Sequence, residues 1–304
     1  MADAEIVAAC DPDLSRAQAA APKAYSTLED LLARERLDFL DIATRPETHR
    51  DLVELAGARR VAVICQKPMA PSWEDAVAMT EAAERAGVPL MIHENWRFQP
   101  WYRTIKRILE RHSVGDIVTY RFRIRKRDGH GEAPYAAQPY FRQMPRLLIH
   151  ETLVHPIDTA RYLFGDIDSV YASMARRNPV IVGEDVAHLT VTHKSSLPGL
   201  IDGHRFTDLA ADSPPLGDAQ FEGESGVIEL TPEGHVQVNQ SLVWENTVRE
   251  GYRGDSVRAT QQHFIDCLRS GSAFETGARD YLKTFATVEA CYQSGTTGRR
   301  ATVS

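Results

Sequence analysis

The chain has 304 residues, 43% hydrophobic and 25% charged, with a formal net charge of −7. That composition excludes a disordered chain and allows two domains, each with its own core. The acidic balance argues against nucleic acid as the main partner, since phosphate binding needs a basic face. No apolar run approaches the roughly 20 residues of a membrane span, and the N-terminus shows no signal-peptide pattern. Cys10, Cys65, Cys267 and Cys291 are scattered through apolar contexts. They read as buried free thiols of a reducing compartment, neither a disulfide frame nor a zinc site, and the cytoplasm is the expected location.

Glu5–Cys10 (EIVAAC) is a strand ended by Asp11, and Pro12–Ala20 begins a helix with Asp13 or Ser15 as cap. A short helix, Leu28–Arg34 with Ser26 as cap, leads to a strand at Phe39–Ala43, a Thr44-Arg45-Pro46 turn and a helix at Thr48–Ala56 that carries His49. Val61–Cys65 is a β-branched apolar run, Gln66-Lys67-Pro68 ends it, Trp73–Ala86 has helical spacing, Gly87 stops that helix, and Val88–Ile92 is again apolar. Unbroken apolar strands alternating with helices predict a doubly wound α/β fold over residues 1–97. In such sheets ligands bind beyond the carboxyl ends of the strands. Lys67 lies directly after one strand, and His93, Glu94, Asn95 and Arg97 directly after the next.

An acidic residue ending the second strand of a dinucleotide fold takes the ribose hydroxyls of NAD, about 20 residues after a G-x-G-x-x-G turn. Asp11 has only ten residues before it, and the chain has no G-x-G-x-x-G. Asp11 is therefore either a ribose ligand or a helix cap. In the first case the preceding strand, phosphate loop and helix are missing, the Rossmann fold is N-terminally incomplete, and the natural protein is expected to start further upstream.

After Arg97 the pattern changes. Trp101–Arg111 is an amphipathic helix, and Ile117–Arg125 alternates apolar and polar residues, the mark of a strand with one wet face. Its arginines therefore belong to a solvated sheet face. Lys126–Gln143 is a long loop rich in Gly, Pro and Tyr, a candidate lid. Leu147–Phe164 reads as one helix. Strand-like runs follow at Ser169–Arg176, Ala187–His193, Gly199–Phe206, Ala219–Glu222, Gly226–Leu230 and His235–Val238, with closing helices at Val257–Arg269 and Tyr281–Gln293. Residues 98–304 are thus expected to form an α+β domain with an open, mostly antiparallel sheet.

Lys67 can bind a substrate hydroxyl and help remove its proton, and the Lys-Pro peptide is a candidate for the cis form. His150, Glu151 and His155 form H-E-x-x-x-H, one residue longer than the zinc motif, so a helix would set the histidines about 140° apart. Glu151 and His155, at i and i+4, share a face and suit acid–base work, or form a surface pair. Asp158 and Arg161 read as a charge pair on the same helix. Trp96, Phe98, Trp101 and Tyr102 read first as packing and second as a sugar-stacking wall.

Taken together, CQKPMAP at Cys65–Pro71, Asp11 after EIVAAC, Thr44 through His49, H-x-x-D at His155–Asp158 followed by ARYLFG, Gly183-Glu184-Asp185 and EGESGVIEL resemble the Gfo/Idh/MocA oxidoreductases in order and over nearly the whole chain. HENWR, NPVIVGEDVA and YLKTFATVEACYQSG are most similar to the D-apiose dehydrogenase-type branch. The resemblance implies a Rossmann domain joined to an α/β domain whose open sheet makes a homodimer or homotetramer. It also implies hydride transfer between NAD(P) and a small-molecule sugar or polyol. It makes Lys67 the catalytic lysine and His155 the proton-handling histidine, with Glu151 and His93 beside the substrate. It gives Asp11, Thr44, Pro46, His49, Gln66, Lys67, Asn95 and Arg97 to the cofactor, with NAD favoured over NADP because Asp11 would repel a 2′-phosphate. Three departures stand out: no glycine loop, Gln66 for the usual Glu, and Glu151-Thr152-Leu153 where the family has D-x-G. Leu153 is expected to crowd the site. The rival expectation is a cofactor-poor paralogue that acts as a binding or structural oligomer.

Overall fold

Short apolar strands and helices alternate through the N-terminal third. The structure is a computed structural model and describes residues 4–210, 213–248 and 250–304. β1 (Ala9–Cys10) leads into α1 (Leu14–Ala20), capped by Asp13, whose carboxylate accepts from the Ser15 amide at 3.1 Å. β2 (Ala24–Tyr25) pairs in parallel with β1. α2 (Leu28–Arg34) starts on Thr27 rather than the expected Ser26: the Thr27 hydroxyl accepts from the Asp30 amide. Then come β3 (Phe39–Ile42), α3 (His49–Ala58), β4 (Ala62–Gln66), α4 (Trp73–Ala86) and β5 (Leu90–His93). Ser72 caps α4, and Gly87, at φ 66°, ends it in the left-handed conformation that glycine adopts without penalty.

β3, β4 and β5 form one parallel sheet, β1 and β2 another, and no ladder joins the two among the described residues. β4 is buried from Ala62 to Cys65, as a strand covered on both faces must be.

The remaining elements are α5 (Pro100–Glu110), β6 (Ile117–Arg125), α6 (Val154–Phe164), β7 (Ile167–Ala175), β8 (Val186–His193), β9 (Pro198–His204), β10 (Gly217–Gly223), β11 (Gly226–Leu230), β12 (Val236–Val238), β13 (Ser241–Trp244), α7 (Ser256–Ser270), α8 (Ala278–Thr297) and β14 (Ala301–Thr302). Their strands make one nine-stranded sheet in the order β13-β12-β11-β10-β6-β9-β8-β7-β14, antiparallel except for β6 beside β9. The alternation along β6 holds: Tyr120, Phe122 and Ile124 are buried, Arg121 is exposed, and Arg123 and Arg125 pair with Asp218 and Asp202.

The chain divides into two compact units, Met1–Glu94 with Thr260–Leu282, and Asn95–Ala259 with Lys283–Ser304. A single boundary at residue 97 misses the return of Thr260–Leu282 to the first unit. There Phe264 meets Phe39 of β3 edge-on at 5.2 Å, and the Thr276 hydroxyl donates to the Ile92 carbonyl at 2.6 Å.

The helix expected over Leu147–Phe164 is instead a π-helical segment, Leu148–Leu153, running into α6. Pro156 is the physical reason: it lacks an N–H, and its ring would press on the Thr152 carbonyl one α-turn back. The backbone widens, and the Val154 amide reaches Ile149, five residues earlier.

Candidate active site

In the first unit the polar residues singled out from the sequence sit at strand ends. Asp11 follows β1, Thr44 and Pro46 follow β3, Gln66 and Lys67 close β4, and His93 closes β5. An Asp11 oxygen accepts from the Asp13 amide at 2.8 Å, a tight turn that leaves the helix cap itself to Asp13. Lys67 is half-buried and joined to Pro68 by a cis peptide. Gln66 folds back so that its side-chain oxygen accepts from the Lys67 amide at 3.0 Å.

His49, expected among the cofactor contacts, is fully buried, with one ring nitrogen 3.1 Å from the Met69 carbonyl and the other 3.2 Å from that of Thr44. It is a strut between the turn after β3 and the turn after β4. Burial pushes its pKa down and outweighs the two carbonyls that favour the proton. Glu94, at the end of the same unit, is buried and accepts from the Tyr281 hydroxyl at 3.2 Å.

In the second unit, Trp96 and Arg97 hold α6 by two adjacent contacts. The Trp96 ring lies 4.8 Å from the His155 ring, with 1° between their planes. Arg97 clasps Asp158 through two nitrogens at 2.8 and 2.7 Å, and the Thr284 hydroxyl donates to the same carboxylate at 2.9 Å. Arg161, expected as a partner of Asp158, also reaches Asp166 and Thr284, each at 2.8 Å. Arg97, expected at the cofactor, spends two of its donors inside the unit.

The π segment starts on a carboxylate far away in sequence. Glu184 accepts from the amides of Leu147 and Ile149 at 3.2 and 2.9 Å and from the Tyr292 hydroxyl at 2.6 Å. Gly183 is glycine because a Cβ there would lie 2.6 Å from the Met144 carbonyl oxygen. This places Glu151 and His155 in a fixed turn, both nearly buried. Leu153 does not crowd them: its methyl stands where a Cβ on Gly203 would be, 2.7 Å away, so the side chain packs down on β9. His150 faces Phe285 edge-on at 5.6 Å, whereas His155 lies flat on Trp96, so the two histidines take different neighbours. The loop read as a lid carries its own small core of Tyr135 and Phe141, against Leu147 and Ile181. Glu184 and Arg205 are buried charges whose roles sequence reasoning missed. The only local signal was an acid flanked by glycine between two strands, and an arginine ending another.

Comparison with known proteins places this arrangement. Residues 1–94 match the oxidoreductase family described as an NAD-binding Rossmann fold, and residues 102–229 match the GFO/IDH/MocA C-terminal domain. A D-apiose dehydrogenase of Paraburkholderia graminis is 37% identical over 97% of this chain and 82% of its own length. The chain belongs to the Gfo/Idh/MocA family. A second relative in the family, a D-apiose dehydrogenase of Rhizobium rhizogenes, is 36% identical over 97% of this chain and 89% of its own. An oxidoreductase of the Agrobacterium radiobacter structure with NAD+, L-tartaric acid and magnesium superposes with a TM-score of 0.90 at 34% identity, covering 98% of this chain and 91% of that one.

Asp11, whose carboxylate directly follows β1, stands at the strand end where a dinucleotide fold takes its ribose.

Proposed function

We propose that this family member is an NAD-dependent dehydrogenase of a sugar or polyol, with D-apiose the first substrate to try. The observation that carries the reading is a histidine held flat against an indole, four residues after a buried glutamate, in a chain more than a third identical to D-apiose dehydrogenases. When bound, NAD supplies the carbon that exchanges hydride with the sugar. Asp11 would take the adenosine ribose and disfavour a 2′-phosphate, with Thr44, Pro46, Gln66 and Asn95 lining the cofactor.

The chain's own residues handle the hydroxyl. In the first unit Lys67 is the group that would bind a substrate oxygen and help take its proton, with His93 a further substrate contact; in the second, His155 would handle a proton through a ring nitrogen and Glu151 would contact a substrate hydroxyl. With one face against Trp96, the His155 ring presents its nitrogens in its own plane. Exposed Tyr171 and Leu200 share one row across β7, β8 and β9 on the open sheet face. That row supports a homodimer or homotetramer through this sheet. The free thiols agree with a cytoplasmic location.

Lys67→Ala tests the reading. Turnover of D-apiose should fall by about 100-fold or more, while NADH affinity, read from tryptophan-to-nicotinamide energy transfer, changes little. Turnover comparable to the parent's would refute it.

A further inference from the structure

The Thr152 hydroxyl sits between a buried cation and a carboxylate. Arg205, directly after β9, is 5% exposed, and its Nε and Nη2 donate to the two oxygens of Asp128 at 2.6 Å each. Its Nη1 donates to Thr152 Oγ1 at 2.7 Å. Arginine can only donate, so this bond takes a lone pair of the hydroxyl and turns the hydroxyl proton away from the guanidinium. That proton is directed to Glu151 Oε2, 3.2 Å away. Every hydrogen along Asp128–Arg205–Thr152–Glu151 then has its direction set by donor and acceptor chemistry alone.

The cation has no room to move. The rings of Tyr135 and Phe141 flank it at 5.3 and 5.9 Å, and a Cβ on Gly129 would come within 2.6 Å of the Arg205 Cβ. Asp128, Gly129, Tyr135 and Phe141 all belong to the long loop after β6. One guanidinium therefore ties the packing of that loop to the carboxylate in the π segment.

We propose that Arg205 and Thr152 are positioning residues: through the threonine hydroxyl, Arg205 holds the Glu151 carboxylate in one rotamer with Oε2 engaged. Glu151 then meets a sugar solely as an acceptor, which selects a substrate that offers a hydroxyl hydrogen at that point. The inference rests on the reading that Glu151 contacts substrate.

Thr152→Val removes the hydroxyl at constant shape, and Thr152→Ser restores it. With D-apiose and NAD as the probe pair, Thr152→Val should raise the sugar KM about tenfold with a smaller change in kcat, and Thr152→Ser should return it towards the parent value. In a Glu151→Gln background the same substitution should add less than about twofold, because the group it orients is already altered. An equal effect in both backgrounds would mean a purely structural role and overturn the inference. If Glu151→Gln alone leaves KM and kcat at parent values, the substrate role of Glu151 fails, and with it the selection argument.

A readout independent of any substrate separates the two. The side-chain carboxyl 13C signal of Glu151, assigned by its loss in Glu151→Gln, should move in Thr152→Val and return in Thr152→Ser. A signal that stays in place overturns the positioning role.

Discussion

The Trp96 indole and the His155 imidazole lie 4.8 Å apart with only 1° between their planes. The six residues Trp96–Trp101 contribute two buried indoles to the unit that carries α6, and one of them forms the wall behind the histidine. Stacked aromatic pairs contribute about 0.5–1.5 kcal/mol beyond burial. Trp96→Leu should thus leave the helix in place but loosen the ring, lowering kcat for the enzyme's sugar substrate about tenfold, a drop steady-state kinetics will resolve. A rate within twofold of the parent's would show that the ring needs no wall.

Arg97 and Asp158 form a pair whose side chains are 6% and 0% exposed. Removing one partner strands a buried charge, which typically costs about 3–5 kcal/mol. Arg97→Met should therefore lower the urea midpoint sharply, and the double variant Arg97→Met/Asp158→Leu should recover part of the loss. No recovery in the double variant would show that the Thr284 and Tyr162 contacts carry the stability instead.

Leu153 and Gly203 share one space, since a Cβ on Gly203 falls 2.7 Å from a Leu153 methyl. Gly203→Ala should destabilise the protein by about 1–3 kcal/mol through overpacking. Adding Leu153→Ala to that variant should return some of the loss, and thermal melting reads both. Additive losses would mean that the leucine packs elsewhere.

His49 and His193 are both buried, and burial pushes the pKa of each below the ordinary value. The Nδ1–H of His193 donates to the Gly165 carbonyl at 2.8 Å, while its Nε2 accepts from the Tyr120 hydroxyl at 2.7 Å. In the unfolded chain both histidines take up protons near pH 6.5, whereas in the folded chain they remain neutral to lower pH. Stability is then complete above about pH 7 and falls as pH drops through about 6.5 towards the folded values. Melting temperature should decline between pH 7.5 and 5.5, and His193→Gln should flatten that slope. An unchanged slope in the variant would assign the decline to other groups.

Elements set by local chemistry were readable from the sequence. The Asp13 cap, the end of α4 at Gly87, the buried run of β4 and the alternation along β6 follow from residues that are neighbours in the chain. Lys67, Glu151 and His155 could be singled out as candidates for the same reason: each stands at a strand end or in a compact motif. Contacts between distant residues were not readable. Arg205 meets Asp128 and Thr152 across 77 and 53 residues, and Arg97 meets Asp158 across 61, so no neighbour in the chain signals that either guanidinium is already engaged. Arg161 reads as a partner of Asp158 because three residues separate them, whereas helical spacing carries no sign of Arg97. The π segment hid behind a regular apolar pattern, with Pro156 as its only sign.

Glu184 caps a turn that lies 35 residues earlier in the chain than the carboxylate itself. The segment bearing Glu151 and His155 lacks a cap of its own, and its first amides find their acceptor only once β7 has formed and the chain has come back to Glu184. Closing so long a loop must precede the reward, which slows a step relative to purely local helix formation. The segment bearing Glu151 and His155 is therefore expected to gain order later than the locally capped helices of the chain.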